Sequence, residues 1–89
     1  MNCIIIDDDA LSRKIIEEFV KKSDALNLVE SYDNAVDAIQ AFNGPESIDL
    51  VFLDIEMPEM SGLDFLNTLD NPPQIIIISG KEKYALEAF

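Results

Sequence analysis

Short apolar runs alternate along this chain with segments of helical periodicity. Three of the runs have the length and the Ile, Val and Phe content of buried strands, and they lie at residues 2–6, 48–53 and 74–79. A weaker run at residues 26–32 is interrupted by Glu30 and Ser31, which is typical of a strand near the edge of a sheet. The pattern therefore predicts four strands.

The segment between the first two strands predicts a helix over residues 10–22. Its apolar side chains recur at helical spacing, and they are Leu11, Ile15, Ile16, Phe19 and Val20. Asp9 is a suitable cap for the start of this helix. Lys21 and Lys22 suit the negative partial charge at its end.

Two further helices and the beginning of a fourth follow from the same spacing. The second is capped by Asp33 or Asn34, stops at residues 44–45, and has one apolar face, made of Ala35, Ala38, Ile39 and Phe42. The third is short, stops before residues 71–73, and carries Leu63, Phe65, Leu66 and Leu69. The fourth begins at residues 84–89. Strands and helices thus alternate, which predicts a parallel sheet with right-handed crossovers and helices on both faces.

The last apolar run contains four consecutive isoleucines. An open edge strand normally carries charge or proline that prevents pairing with other chains, and residues 74–79 carry neither. Something should therefore cover the free side of this strand. We expect that the natural protein continues past Phe89, the alternative being that two chains cover each other as a homodimer.

Composition limits the classes of function. A length of 89 residues, a hydrophobic content of 48% and only 3 Gly and 4 Pro indicate one small folded domain, residues 1–89. The net charge of −12 argues against nucleic acid or an anionic membrane as a direct partner, because phosphate groups are bound by Lys and Arg. A cationic partner surface or a divalent metal fits better.

Residue types that are missing narrow the chemistry further. The chain has no histidine, which excludes a Ser-His-Asp triad and His-ligated zinc. The single cysteine, Cys3, lies in the first apolar run and is expected to be a buried hydrophobic side chain. No apolar stretch approaches the ~20 residues of a membrane span, and the N-terminus lacks the basic-then-apolar pattern of a signal peptide. We therefore expect a cytoplasmic protein.

Aspartates directly follow two of the apolar runs. Asp7, Asp8 and Asp9 come after the run at residues 2–6, and Asp54 comes after the run at 48–53. If these two strands are parallel neighbours, their C-terminal ends meet at the edge where open α/β sheets bind ligands. Clustered carboxylates repel one another, so such a site is expected to hold a hard cation such as Mg²⁺. The alternative for the first two aspartates is plain capping of the helix that follows, and capping is the role expected of the third.

Three stretches, residues 3–9, 53–62 and 76–80, resemble the receiver domain of two-component response regulators. An acidic pair after the first strand is weak evidence alone, whereas Asp54 followed by x-x-Met-Pro-x-x-x-Gly after a strand is highly specific. The resemblance covers essentially the whole chain. It implies a flavodoxin-like, doubly wound parallel sheet with strand order 2-1-3-4, truncated before a fifth strand, so that residues 1–89 are a receiver domain incomplete at its C-terminus.

The resemblance implies roles for individual residues. Asp54 matches the phosphoryl acceptor, whose carboxylate attacks the phosphorus of a phosphohistidine on a partner sensor kinase. Mg²⁺ would be held by Asp8, by Asp54 and by the backbone carbonyl of Glu56, with Asp7 acting directly or through water. Ser79 matches a Ser or Thr whose hydroxyl bonds a phosphoryl oxygen and whose movement begins the conformational switch.

The resemblance also implies partners. A sensor histidine kinase would act upstream, and an output domain that regulates transcription would act downstream. Residues 84–89 are similar to those of receivers that precede LytTR-type DNA-binding domains. A receiver is a signalling domain that at most catalyses its own phosphorylation and dephosphorylation. Family members carry a lysine after a fifth strand, and neither Lys81 nor Lys83 matches it, so we expect Mg²⁺ binding but inefficient phosphorylation of these 89 residues alone.

Two other functions stay open at this point. The fold could act as an interaction module that binds a partner through the exposed edge of the fourth strand, without phosphotransfer. It could also be a Mg²⁺-dependent phosphatase of the haloacid-dehalogenase type, which uses an aspartate after a strand as its nucleophile. That class needs a second aspartate two residues later, where this chain has Glu56.

Overall fold

The computed structural model describes residues 1–54, 62–69 and 71–78. Its parallel sheet is formed by β1 (Asn2–Ile6), β2 (Asn27–Tyr32), β3 (Leu50–Asp54) and β4 (Gln74–Ile78). The helices are α1 (Ala10–Lys21), α2 (Ala35–Ala38), which is continued by a 3₁₀ segment at Ile39–Asn43, and α3 (Gly62–Asn67). The strand order β2-β1-β3-β4 confirms the predicted fold class and the predicted order.

Two apolar layers cover the sheet, one on each face. The first layer joins β1 and β3 to α2 and α3 through Ile4, Ile6, Val51, Leu53, Ala35, Ala38 and Phe65. The second layer joins the same strands to α1 through Cys3, Ile5, Leu50, Phe52 and Val20. All of these side chains are buried. The two central strands are therefore enclosed on both faces, as the continuous apolar runs of a doubly wound sheet predict.

Helix α1 begins at its predicted cap. The Asp9 carboxylate accepts hydrogen bonds from the N–H of Ser12 at 3.2 Å and from the Ser12 hydroxyl at 2.7 Å. The predicted last helical residue, Lys22, is instead the C-cap, and Lys21 provides the basic side chain of the last turn. Because the cap fixes where the helix starts, it also fixes the short loop that joins β1 to α1.

The two flanks of α1 have different surroundings. On one flank, Glu17 accepts a hydrogen bond of 2.9 Å from the Ser31 hydroxyl of β2. On the other, the ring of Phe19 meets the ring of Phe52 of β3 edge-on, with 6.4 Å between centroids. This second flank also carries Leu11 and Ile15, and all three of its apolar side chains are exposed. Within the described residues, α2 and α3 both lie on the opposite face and leave this flank open.

Some predicted boundaries were wrong. The sequence predicts one helix whose apolar face extends to Phe42. In the structure its α-helical part ends at Ala38, and a 3₁₀ segment follows. Pro45 favours an extended conformation at Gly44, which limits the room for further helical turns. Asn34, rather than Asp33, caps this helix, because its side chain accepts a 2.7 Å hydrogen bond from the N–H of Asp37.

One edge of the described sheet agrees with the sequence pattern, whereas the other edge strand is more apolar than is usual for such a position. β2, the interrupted run, lies at one edge, and the isoleucine-rich β4 lies at the other. None of the helices that the structure describes has the length and hydrophobicity needed to span a bilayer. The predicted fourth helix, at residues 84–89, lies outside the described residues.

Candidate functional site

Three carboxylates meet at the C-terminal edge of the sheet. β1 and β3 are paired in register from Cys3 opposite Leu50 to Ile6 opposite Leu53. The next residues along the two chain segments are Asp7 and Asp54, which therefore lie side by side. Asp7, Asp8 and Asp54 each offer a carboxylate oxygen, and these oxygens all lie within 4.8 Å of one another. The predicted convergence of these three aspartates is therefore present.

The cluster is buried on one side and open on the other. Asp7 is 0% exposed and Asp54 is 3% exposed, whereas Asp8 is exposed at the surface. Buried carboxylates held close together are unfavourable because each loses hydration and repels the others. Such an arrangement is expected where a cation or a set of hydrogen-bond donors offsets the charge, and the exposed member leaves a route from solvent.

Hydrogen bonds from three directions fix Asp7. Its N–H donates to the Tyr32 carbonyl of β2 at 3.1 Å. Its carboxylate Oδ1 accepts from the N–H of Asp9 at 2.9 Å. Its backbone carbonyl accepts from Nη1 of Arg13 at 2.8 Å. The capping role expected of Asp9 is confirmed, and this residue in addition orients the Asp7 carboxylate through its own N–H.

The donor set suits a hard divalent cation. All three ligand groups are carboxylate oxygens, which are the ligands that Mg²⁺ and Ca²⁺ prefer, whereas Zn²⁺ sites are usually built from Cys and His. An octahedral Mg²⁺ with ligands at about 2.1 Å spans about 4 Å between opposite oxygens, which matches the size of this cluster. The residues that are present therefore fit the cation that the sequence predicts.

Other predicted site residues lie outside the described residues. They include Glu56, whose backbone carbonyl was assigned to the metal, and Ser79, whose hydroxyl was assigned to the phosphoryl group. Met57, Pro58, Lys81 and Lys83 are also outside this range. The assignments of Glu56 and Ser79 thus stay predictions.

Sequence analysis missed Arg13. Its hydrogen bond to the Asp7 carbonyl places a guanidinium group beside the acidic loop, and only the placement of α1 reveals this contact. The surrounding charges are uneven, because the basic residues between positions 1 and 80 are confined to positions 13–22. Near the loop, burial and then the charges of Glu30 and Asp37 raise the pKa of the Tyr32 phenol above its usual value.

Comparison with known proteins gives a consistent result. The family model of the response regulator receiver domain matches residues 3–89. An uncharacterized response regulatory protein of Vibrio cholerae is 31% identical over 91 residues, which cover 100% of this chain and 38% of that protein. The transcriptional regulatory protein BtsR of Escherichia coli is 34% identical over 88 residues, which cover 97% of this chain and 36% of that protein. The chain thus spans little more than a third of these relatives.

Solved structures share the fold. The response regulatory domain of mrkE from Klebsiella pneumoniae superimposes with a TM-score of 0.77 at 24% identity, covering 99% of this chain and 74% of that one. A chain of the CheX–CheY–BeF₃–Mg²⁺ complex from Borrelia burgdorferi superimposes with a TM-score of 0.75 at 29% identity, covering 97% and 66%. Fold, family model and sequence relatives agree, and the chain belongs to the receiver domains of two-component response regulators.

Proposed function

We propose that Asp54 accepts a phosphoryl group from a phosphohistidine of a sensor histidine kinase, in a reaction that requires Mg²⁺. The observation that carries this proposal is the convergence of Asp54 with Asp7 and Asp8, whose ligand oxygens lie within 4.8 Å of one another. Membership of the receiver family supports it, since receivers are signalling domains that act between a kinase and an output domain.

Asp54 is well placed to act as the nucleophile. It ends β3, which is paired with β1 on one side and with β4 on the other, where Asp54 lies opposite Ile78. A carboxylate is a weak nucleophile, so the reaction depends on its position and on the neutralisation of charge. One carboxylate oxygen forms a bond to phosphorus while the N–P bond of the phosphohistidine breaks, and the departing imidazole keeps the electron pair.

The metal ligands in this proposal are Asp8, Asp54 and the backbone carbonyl of Glu56, with Asp7 binding directly or through water. Mg²⁺ supplies positive charge that offsets the repulsion between the carboxylates and the incoming phosphoryl oxygens. The crystallised CheX–CheY complex, which contains Mg²⁺, supports this choice of cation by analogy. Ser79 follows Ile78, the register partner of Asp54, which supports a hydrogen bond from its hydroxyl to the phosphoryl group.

We assign the output to transcription and the chain to a longer cytoplasmic regulator, of which residues 1–89 are the receiver part. The coverage of 36–38% of the curated relatives and the name of BtsR support this assignment. A LytTR-type DNA-binding domain is the proposed output, on the similarity of residues 84–89 to that subgroup. An interaction module without phosphotransfer and a haloacid-dehalogenase-type phosphatase are not favoured, because the family match is to receivers.

Incubation with acetyl phosphate and Mg²⁺ followed by intact-mass spectrometry tests the acceptor. We expect a fraction of the protein to gain one phosphoryl group, in line with inefficient phosphorylation of these 89 residues alone, and Asp54→Asn to gain none, because the nucleophile is lost. Asp24→Asn is the matched control, since Asp24 is exposed at the opposite edge of the sheet and should leave the adduct unchanged. The proposal fails if Asp54→Asn is still labelled, or if a chain extended through a fifth strand gains no adduct.

A further inference from the structure

The side chain of Arg13 reaches back across the start of α1 to the acidic loop. Its Nη1 donates a partly buried hydrogen bond of 2.8 Å to the backbone carbonyl of Asp7, six residues earlier. The carbonyl of Asp7 belongs to the planar peptide unit that also contains the N–H and Cα of Asp8. Arg13 therefore holds the one rigid plane that joins two of the three clustered aspartates.

Orientation of this peptide decides where both carboxylates point. The N–H of Asp7 is bound to Tyr32 and its carboxylate to the N–H of Asp9, so the segment before and after the peptide is fixed. The Asp7–Asp8 peptide itself is fixed by Arg13. Because Asp8 is exposed, it has little packing of its own to hold its backbone in place. The guanidinium contact restrains the peptide before Asp8, and the hydrogen bond of the Asp9 N–H restrains the peptide after it.

Other basic side chains in this part of the chain are less well placed. Lys14 is exposed and leaves the helix about 100° further round, because an α-helix has 3.6 residues per turn. Lys21 and Lys22 lie at least eight residues beyond Arg13, which is about 12 Å along the helix axis. Lys14 nevertheless has the same charge and almost the same sequence position, which makes it a suitable control.

We propose that Arg13 is a positioning residue of the Mg²⁺ site, which it serves by orienting the Asp7–Asp8 peptide. This inference rests on the proposed function, since it requires that the cluster bind Mg²⁺. Positioning and simple charge have opposite effects. A nearby cation repels Mg²⁺, so loss of its charge alone would strengthen binding, whereas loss of an orienting hydrogen bond would weaken binding.

Amide NMR titration with Mg²⁺ distinguishes these effects. We expect Arg13→Gln to weaken the Mg²⁺ affinity about tenfold, the size typical of losing a group that orients a metal ligand. Arg13→Lys, which keeps the charge and a donor group at the end of the side chain, should recover part of the affinity. Lys14→Gln should leave the affinity equal to, or slightly above, that of the wild type. Thermal melting without Mg²⁺ measures the purely structural effect of each variant separately.

The outcomes separate the inference from the function on which it rests. If the wild type binds Mg²⁺ and Arg13→Gln binds it equally or more tightly, Arg13 is not a positioning residue, although the proposed site stands. If Arg13→Gln lacks a folded spectrum, Arg13→Lys is used to test the role of Arg13. The inference is then overturned if Arg13→Lys and Lys14→Gln both bind Mg²⁺ with the affinity of the wild type. Both proposals are overturned if Mg²⁺ does not shift the amide signals near residues 7, 8 and 54 of the wild type.

Discussion

Ile5, Phe52 and Ile76 form one row across β1, β3 and β4, on the face of the sheet that α1 covers. Ile5 is 0% exposed and Ile76 is 43% exposed. The two side chains are identical, so the difference comes from their neighbours. Ile5 has a strand on each side and belongs to the layer that includes Val20 of α1, whereas the described residues place a strand on only one side of Ile76.

The comparison explains why the site lies where it does. The two enclosed strands, β1 and β3, are the ones that end in clustered aspartates. Their positions are fixed by strands on both sides and by apolar layers on both faces. A site that must keep three carboxylates close together benefits from strand ends that cannot separate easily, and an edge strand would not provide this.

The largest effect is expected from truncating the two isoleucines. Ile5→Ala is expected to lower the free energy of unfolding by about 2–5 kcal/mol, because it leaves a cavity in a closed layer. Ile76→Ala should cost less than about 1 kcal/mol, because solvent already reaches that side chain. Urea unfolding of both variants measures the difference. Equal losses would show that the edge is as well packed as the centre.

Binding of Mg²⁺ to the three clustered aspartates should stabilise the folded state, including the enclosed strands β1 and β3. Binding to the folded state alone adds about 2.7 kcal/mol when free Mg²⁺ is one hundred times its dissociation constant. The melting temperature should therefore rise with Mg²⁺ and stop responding in Asp8→Asn, while Asp24→Asn keeps the response. A wild-type melting temperature that is indifferent to millimolar Mg²⁺ would contradict the site.

The smallest effect is expected at β4, an edge strand of the described part of the sheet, as a weak self-association. Ile76 and Ile77 are 43% and 45% exposed, and an apolar edge strand without charge tends to pair with other chains. Analytical ultracentrifugation should show an average mass that rises with concentration, and Ile77→Lys should abolish the rise. Val36→Lys is the matched control, because Val36 is similarly exposed but lies on α2. A wild type that stays monomeric at every concentration would rule out this role of the edge.

Much of this arrangement could be predicted from the sequence, for identifiable reasons. Continuous apolar runs that end in aspartate fix both the identity of the central strands and the edge at which Asp7, Asp8 and Asp54 meet. Exposure could not be predicted in the same way. Leu11, Ile15 and Phe19 have the spacing of a buried face, yet they lie exposed on the flank of α1 that is directed towards β3.

Contacts that depend on the placement of a helix were also beyond the sequence pattern. The hydrogen bond from Arg13 to the Asp7 carbonyl requires the observed start of α1, which the capping of Asp9 determines. After Ala38 the second helix changes to a 3₁₀ segment, because the helical spacing of the apolar residues competes with the extended backbone that Pro45 favours at Gly44. A prediction from spacing alone does not include this backbone preference. The roles of Glu56 and Ser79 are still predictions.

Because Cys3 is buried, its thiol can report when the sheet opens at β1. The thiol is 0% exposed on the central strand β1, it is the single cysteine of the chain, and burial raises its pKa. The thiolate is the nucleophile that attacks an alkylating reagent, so labelling requires β1 to become accessible first. The rate of alkylation in native buffer would thus measure how often β1, the strand that precedes Asp7, opens, without any introduced label.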